Sequence, residues 1–269
     1  MATRARRRGA PTDVAGWSLR DDSPTLIRRT LRIFSTALIT AGLVVFADVA
    51  MTLLWKEPVS TVYGSIKQGQ AEDELRALED RFPSPADLRA VEGAKNLDQR
   101  VRLLADLFED EIERGEGIGR IGIERIGLDT VVVEGTDTQS LRNGPGHYTL
   151  AEDAVSAGEG DGSALPGQGK SVGIAGHRTT YLAPFRRINE IRDGDEVVVE
   201  MPYATFTYEV EKHEIVEPDA VEIVRNVGYD RLVLTACHPL YSAAQRYVIF
   251  ARLEDVALFA PGDRVWQDP

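Results

Sequence analysis

Residues 231–253 read RLVLTACHPLYSAAQRYVIFARL and hold the only cysteine of the 269-residue chain, Cys237. Two apolar, β-prone runs, Leu232 to Thr235 and Tyr247 to Leu253, flank a polar connection, the pattern of two strands joined by a loop. Cys237 therefore falls at the end of one strand and Arg246 at the start of the next, a place where chemistry is often carried. A free cysteine is commonly a small buried hydrophobe. Here polar His238, Pro239 and a serine-containing loop follow at once, which points to an exposed strand end.

Outward from this stretch, short β-like runs recur between glycine, proline and asparagine: Ile118 to Ile126, Thr130 to Glu134, Ser171 to Ala175, Glu196 to Met201 and Thr205 to Val216. With the two runs above they predict a closed or sandwiched antiparallel β domain of about 140 residues. Ala151 to Gly169, rich in glycine and acid, reads as a mobile surface loop. Short helical turns are expected at Asp137 to Leu141 and Ala183 to Ile191. Before the β runs, Leu97, Val101, Leu104, Phe108 and Ile112 recur at helical spacing and form one apolar face. Ala71 to Arg81 is charged and helix-prone up to Pro83 and Pro85, and Lys56 to Gln70 reads as a linker.

Residues 33–55, IFSTALITAGLVVFADVAMTLLW, carry a single charge, Asp48. Such a run makes a helix of about 34 Å, enough to cross a hydrocarbon core of about 30 Å. It is too long for a signal-peptide core and lacks a small-residue cleavage site, so it reads as a signal anchor. Eight arginines against three aspartates precede it, which keeps the N-terminus cytoplasmic and sends the rest outside. The organisation expected is a basic tail over 1–32, a membrane anchor over 33–55, a linker and helical stalk over 56–116, a catalytic domain over 117–256 and a tail over 257–269.

The chain carries a net charge of −12, and the exported part is more acidic still because the tail is basic. That argues against nucleic acid, whose phosphates need a basic footprint. One cysteine cannot form an intramolecular disulfide, and a lone thiol outside the cell is flagged as reactive. No zinc-type Cys/His spacing, calcium loop, P-loop or dinucleotide fingerprint is present, so neither a metal nor a cofactor is expected.

A thiol needs a partner to handle its proton. Of the four histidines, His177 ends the apolar run SVGIAGHRTTY beside Gly176 and is the leading choice. His238 adjoins Cys237, but neighbours on a strand face opposite ways. His213 sits in an alternating charged run and reads as a surface residue, whereas His147, in GPGHY, either lines a pocket or caps a loop. Acyl transfer also needs a donor for a developing oxyanion. Arg246 is placed for it, with Arg178, Arg186 and Arg187 as rivals among 26 arginines.

TACHP at Thr235–Pro239 resembles the cysteine-bearing active-site strand of sortases, AGHRTTY resembles their histidine segment, and Arg246, nine residues past the cysteine, matches their third catalytic position. GRIGIERIGLDTVVVEG and GPGHY are similar to a sortase's opening strands and following turn. The resemblance spans roughly residues 117–254. HPLYS and GPGHY favour class E of high-GC Gram-positive bacteria, with Ala236 standing where that class often has threonine. The resemblance implies a mainly β fold, a closed eight-stranded barrel with short helices behind an N-terminal transmembrane helix and a helical juxtamembrane segment. It further implies a membrane-anchored cysteine transpeptidase without a cofactor. Cys237 would attack the Thr carbonyl of an LPxTG- or LAxTG-type sorting signal, His177 would serve as acid and base, and Arg246 would stabilise the oxyanion or hold substrate. An amine of a lipid-linked peptidoglycan precursor would resolve the thioester. Thr235, Ala236, His238, Tyr241, His147 and Tyr148 are the further residues expected around the substrate. Two alternatives stand beside it: an L,D-transpeptidase, whose serine-histidine-glycine-cysteine run TACHP lacks, and a non-catalytic membrane-tethered β domain that binds exported partners.

Overall fold

The alternating runs become eight strands: β1 (Gly117–Ile123), β2 (Leu128–Glu134), β3 (Gly146–His147), β4 (Ser171–Gly176), β5 (Glu196–Met201), β6 (Ala204–Val216), β7 (Arg231–His238) and β8 (Gln245–Leu258). The computed structural model describes residues 23–54, 58–149 and 164–259. The strands close into a barrel in the order β1-β2-β3-β4-β7-β8-β6-β5, and closure removes free sheet edges. Most pairings are antiparallel, but β2 runs parallel to β3 and β4 parallel to β7, which the expectation of a purely antiparallel domain did not include. The β5–β6 hairpin lies between β4 and β7 in sequence, so the chain returns to β7 in the direction of β4, as a parallel pair requires.

Alternation sorts the side chains of β7. Leu232, Leu234 and Ala236 enter the barrel core, whereas Val233 joins a second cluster with Val248 and Phe250, against which Val216, Ile223 and Val224 pack. Cys237 shares the outer face with Val233 and Thr235. Because β7 has a strand on each side and cover on both faces, it reads as a nearly continuous apolar run.

Among the described residues four helices precede the barrel: α1 (Ser23–Leu54), α2 (Pro58–Arg81), α3 (Pro85–Ala90) and α4 (Leu97–Glu109). Within α1, Ile27–Ala50 has a mean hydropathy of 2.0 and none of it is buried in protein. The segment expected as linker is instead the first half of α2. Gly64 and Gly69 disguise it, since glycine lowers intrinsic helix propensity, and tertiary contacts override that penalty. Gln68 donates from Nε2 to the carbonyls of Val131 (3.2 Å) and Asn143 (2.6 Å) and accepts at Oε1 from the Val131 N–H (3.0 Å).

The helices expected as a stalk are part of the domain's packing. Ala71 and Leu75 of α2 are buried with Val131 and Val133, and β1 approaches so closely that a Cβ on Gly117 would lie 2.2 Å from the Ala71 carbonyl oxygen. Val101, Leu104, Ala105 and Phe108 of α4 enter the barrel core. There the Phe108 ring lies 5.1 Å from that of Phe82 and 5.4 Å from that of Tyr203. Of the expected loop 151–169, residues up to 163 lie outside the described ones. Its described end is packed: Ala164 and Leu165 are buried, and the Tyr203 hydroxyl donates to the Pro166 carbonyl at 2.7 Å.

Candidate active site

Three strand ends build the site. The parallel β4–β7 pairing runs to Gly176 opposite Ala236, so the next residues along the two strands are His177 and Cys237. On the other side of β7, Cys237 stands opposite Arg246 of β8. The three residues thus occupy one row across neighbouring strands, although 60 residues separate the first two in sequence. Cys237 is a free, half-buried thiol.

Local packing explains why the chain turns at His177. Gly176 leaves no room for a side chain, since a Cβ there would meet the buried Phe185 ring at 2.5 Å. Beyond it, Tyr181, Leu182 and Ala183 all take left-handed backbone angles, with φ of 48°, 64° and 47°. For residues with a Cβ this conformation costs about 1–2 kcal/mol each, so packing must enforce it. Tyr63 of α2 supplies part of that packing, its ring 6.0 Å from that of Tyr181, and Gly64 lets Leu182 approach the helix closely.

The Tyr181 ring in turn lies 5.3 Å from the His177 imidazole and 5.7 Å from the Arg142 guanidinium. Burial lowers the pKa of His177, and the positive charge of Arg142 lowers it further. Both effects disfavour the imidazolium, so the resting ring is neutral and able to accept a proton. Arg246 is held by its own loop, Nη1 donating to the carbonyls of Ala243 at 3.0 Å and Gln245 at 3.1 Å. A thiol, a neutral imidazole and a guanidinium on adjacent strands have the chemistry for acyl transfer.

The remaining expected residues divide. Thr235 lies on the cysteine's face of β7, its hydroxyl 2.7 Å from that of Tyr148. Tyr241 is exposed on the β7–β8 loop, where Arg186 Nη2 donates to its hydroxyl at 3.2 Å. Ala236 points into the core, away from the cysteine's face of β7, as the two-residue period of a strand dictates. His238 also turns away from Cys237, toward Arg178 and Tyr247. His147 is buried, 4% exposed, with Nδ1 2.8 Å from the Glu134 carboxylate and Nε2 3.0 Å from the Ala164 carbonyl.

Several neighbours escaped the sequence. Arg142 and Tyr181 adjoin His177, and Tyr63 backs Tyr181, without any motif that marks them, although Tyr181 closes the AGHRTTY run. Arg178, a rival oxyanion donor on sequence grounds, is buried, and its Nη1 donates to the Cys237 carbonyl at 3.1 Å. Among the described residues no group of three or more His, Cys, Asp or Glu is arranged to hold a metal. An open groove lined by Arg120, Arg125, Asp129 and Asp195 lies on β1, β2 and β5, across the barrel from β7. Its two arginines are already paired, Arg125 with Asp195 and Arg120 with Asp129.

A family profile described as the Sortase domain matches residues 121–254, which include all three residues of the row. Sortase D of Bacillus subtilis (strain 168) is 32% identical over 144 residues, covering 52% of this chain and 65% of that protein. Sortase SrtE1 of Streptomyces coelicolor is 28% identical over 152 residues, covering 52% of this chain and 41% of that one. The chain therefore spans less than two thirds of either relative. Among solved structures, a Clostridium perfringens Sortase D5 transpeptidase superposes with a TM-score of 0.52 at 23% identity, covering 70% of this chain and 99% of the other. The eight-stranded barrel is the sortase fold.

Proposed function

Because this chain belongs to the sortase family, we propose that it is a cysteine transpeptidase acting on the C-terminal sorting signals of exported proteins. The observation that carries the proposal is the row His177, Cys237, Arg246 across β4, β7 and β8. His177 takes the thiol proton as Cys237 Sγ attacks the carbonyl carbon of the signal threonine. Arg246 faces the charge that develops on the carbonyl oxygen. As the tetrahedral centre collapses, the bond to glycine breaks and the imidazolium gives its proton to the leaving amine. An acceptor amine then loses a proton to the same imidazole, attacks the thioester and releases the thiol.

The substrate proposed is of LPxTG or LAxTG type, and the acceptor is an amine of a lipid-linked cell-wall precursor. The finer placement is in class E, supported by the HPLYS and GPGHY segments and by the match to Sortase SrtE1. Sortase D is matched at higher identity, so the second signal position is the discriminating variable. Ile27–Ala50 serves as the membrane anchor, with its arginine-rich side in the cytoplasm by the positive-inside rule and the barrel outside.

The test is a panel of peptides that vary the second signal position, assayed for cleavage and for ligation to an amine. Turnover of an LAxTG or LPxTG peptide that vanishes in Cys237→Ala is expected. Undiminished turnover in that variant, or turnover only of a peptidoglycan stem peptide, would refute the proposal.

A further inference from the structure

The backbone register of β4 with β7 stops at Gly176 and Ala236, one residue short of His177 and Cys237. A side chain from the following residue bridges the gap. Arg178 Nη1 donates to the Cys237 carbonyl at 3.1 Å, and Nη2 donates to Asn189 Oδ1 at 2.6 Å. Nη1 also lies 3.4 Å from His238 Nδ1. Asn189 belongs to the short helical turn Ile188–Glu190, anchored by the fully buried Ile188. The guanidinium therefore ties together the end of β4, the end of β7 and the segment between β4 and β5.

Its environment is unusual for an arginine. Arg178 is 6% exposed, and no carboxylate within salt-bridge distance pairs with it among the described residues. Its Nε has no hydrogen-bond partner. A buried cation without a counter-ion is costly, and the rigid planar fork of a guanidinium is pre-organised to engage two fixed acceptors.

We propose that Arg178 is a positioning residue whose guanidinium replaces the missing rung of the β4–β7 ladder and fixes Cys237 relative to His177, an inference that rests on Cys237 being the nucleophile. Arg178 touches Cys237 at its backbone carbonyl. Misplacing reacting groups by about 1 Å costs on the order of a hundredfold in rate.

The experiment uses the full chain in detergent, with reactive thiols titrated so that kcat is expressed per competent site. Arg178→Met is expected to lower kcat about a hundredfold with KM within about twofold, and Arg178→Lys to recover about tenfold of the loss. Asn189→Ala, which keeps the cation and removes one acceptor, is expected to lower kcat about fivefold. Arg125→Gln, on the opposite wall, serves as the control. A role confined to folding would reduce the number of titratable thiols and the melting temperature while leaving kcat per thiol unchanged, and that result overturns the proposal. Should Arg178→Met not fold, wild-type kcat per thiol in both Arg178→Lys and Asn189→Ala overturns it equally. Activity retained in Cys237→Ala would instead refute the underlying assignment of the nucleophile.

Discussion

Two histidines follow or end short strands on neighbouring parts of this barrel, and their surroundings drive them in opposite directions. Burial disfavours the charged ring of His147, yet the Glu134 carboxylate and the hydrogen bonds to it and to the Ala164 carbonyl together raise its pKa. Burial acts the same way on His177, but there the neighbouring charge is Arg142, and the pKa falls. One ring is shifted toward the cation and pins β2, β3 and the segment at residue 164. The other is shifted toward the neutral form, one residue past the last β4–β7 pair. Burial is common to both, so the sign of the nearest charge decides the role.

Exchange of function is the sharpest way to break this contrast. His177→Asn is expected to lower kcat/KM by about a thousandfold, within the range for a lost general acid–base group, with little change in melting temperature. Changes at the other pole should act on stability instead. Glu134→Gln leaves the buried imidazole without its counter-charge, and a loss of about 2 kcal/mol in denaturant unfolding is expected. The pH dependence follows from linkage. His147 has a pKa raised above its unfolded value of about 6.5, so its contribution is full below that pH and fades as pH rises through the raised value. The Glu134→Gln penalty should therefore be larger at pH 6 than at pH 9, and a penalty independent of pH would remove the cationic pin from the account.

The comparison sharpens further at Arg142. Arg142→Gln removes the positive neighbour of His177, so the NMR titration midpoint of that imidazole is expected to move upward, while that of His147 stays in place. The smallest effect is expected for Tyr63→Ala, which removes an aromatic contact worth about 0.5–1.5 kcal/mol from the Tyr181 loop. A decrease of a few fold in kcat/KM is anticipated there, measurable against a chain truncated before residue 70.

The sequence carried the β7–β8 hairpin and its chemistry because alternation and turn residues are local signals. Cys237 and Arg246 face each other across the hairpin as the two apolar runs required. What it concealed is set by distant contacts. The two-residue β3 is too short to show periodicity. The start of α2 is stabilised by the hydrogen bonds from its Gln68 to β2 and by the Tyr63–Tyr181 contact, not by propensity. His147 was legible as a turn histidine but not as a buried one, since its partner Glu134 lies 13 residues upstream on another strand. Arg178 looked like an oxyanion donor because nothing in AGHRTTY reveals that its guanidinium is engaged by the Cys237 carbonyl and Asn189.

The central claim is that Cys237 becomes acylated with the help of the neutral His177. Intact-protein mass spectrometry after mixing with a sorting-signal peptide, without an amine acceptor and quenched in acid, tests it most directly. The account predicts a mass increase equal to the peptide fragment ending in threonine, mapped to Cys237, absent in Cys237→Ala and formed far more slowly in His177→Asn. An adduct that persists in Cys237→Ala, or peptide cleavage with no adduct at any time point, would contradict it.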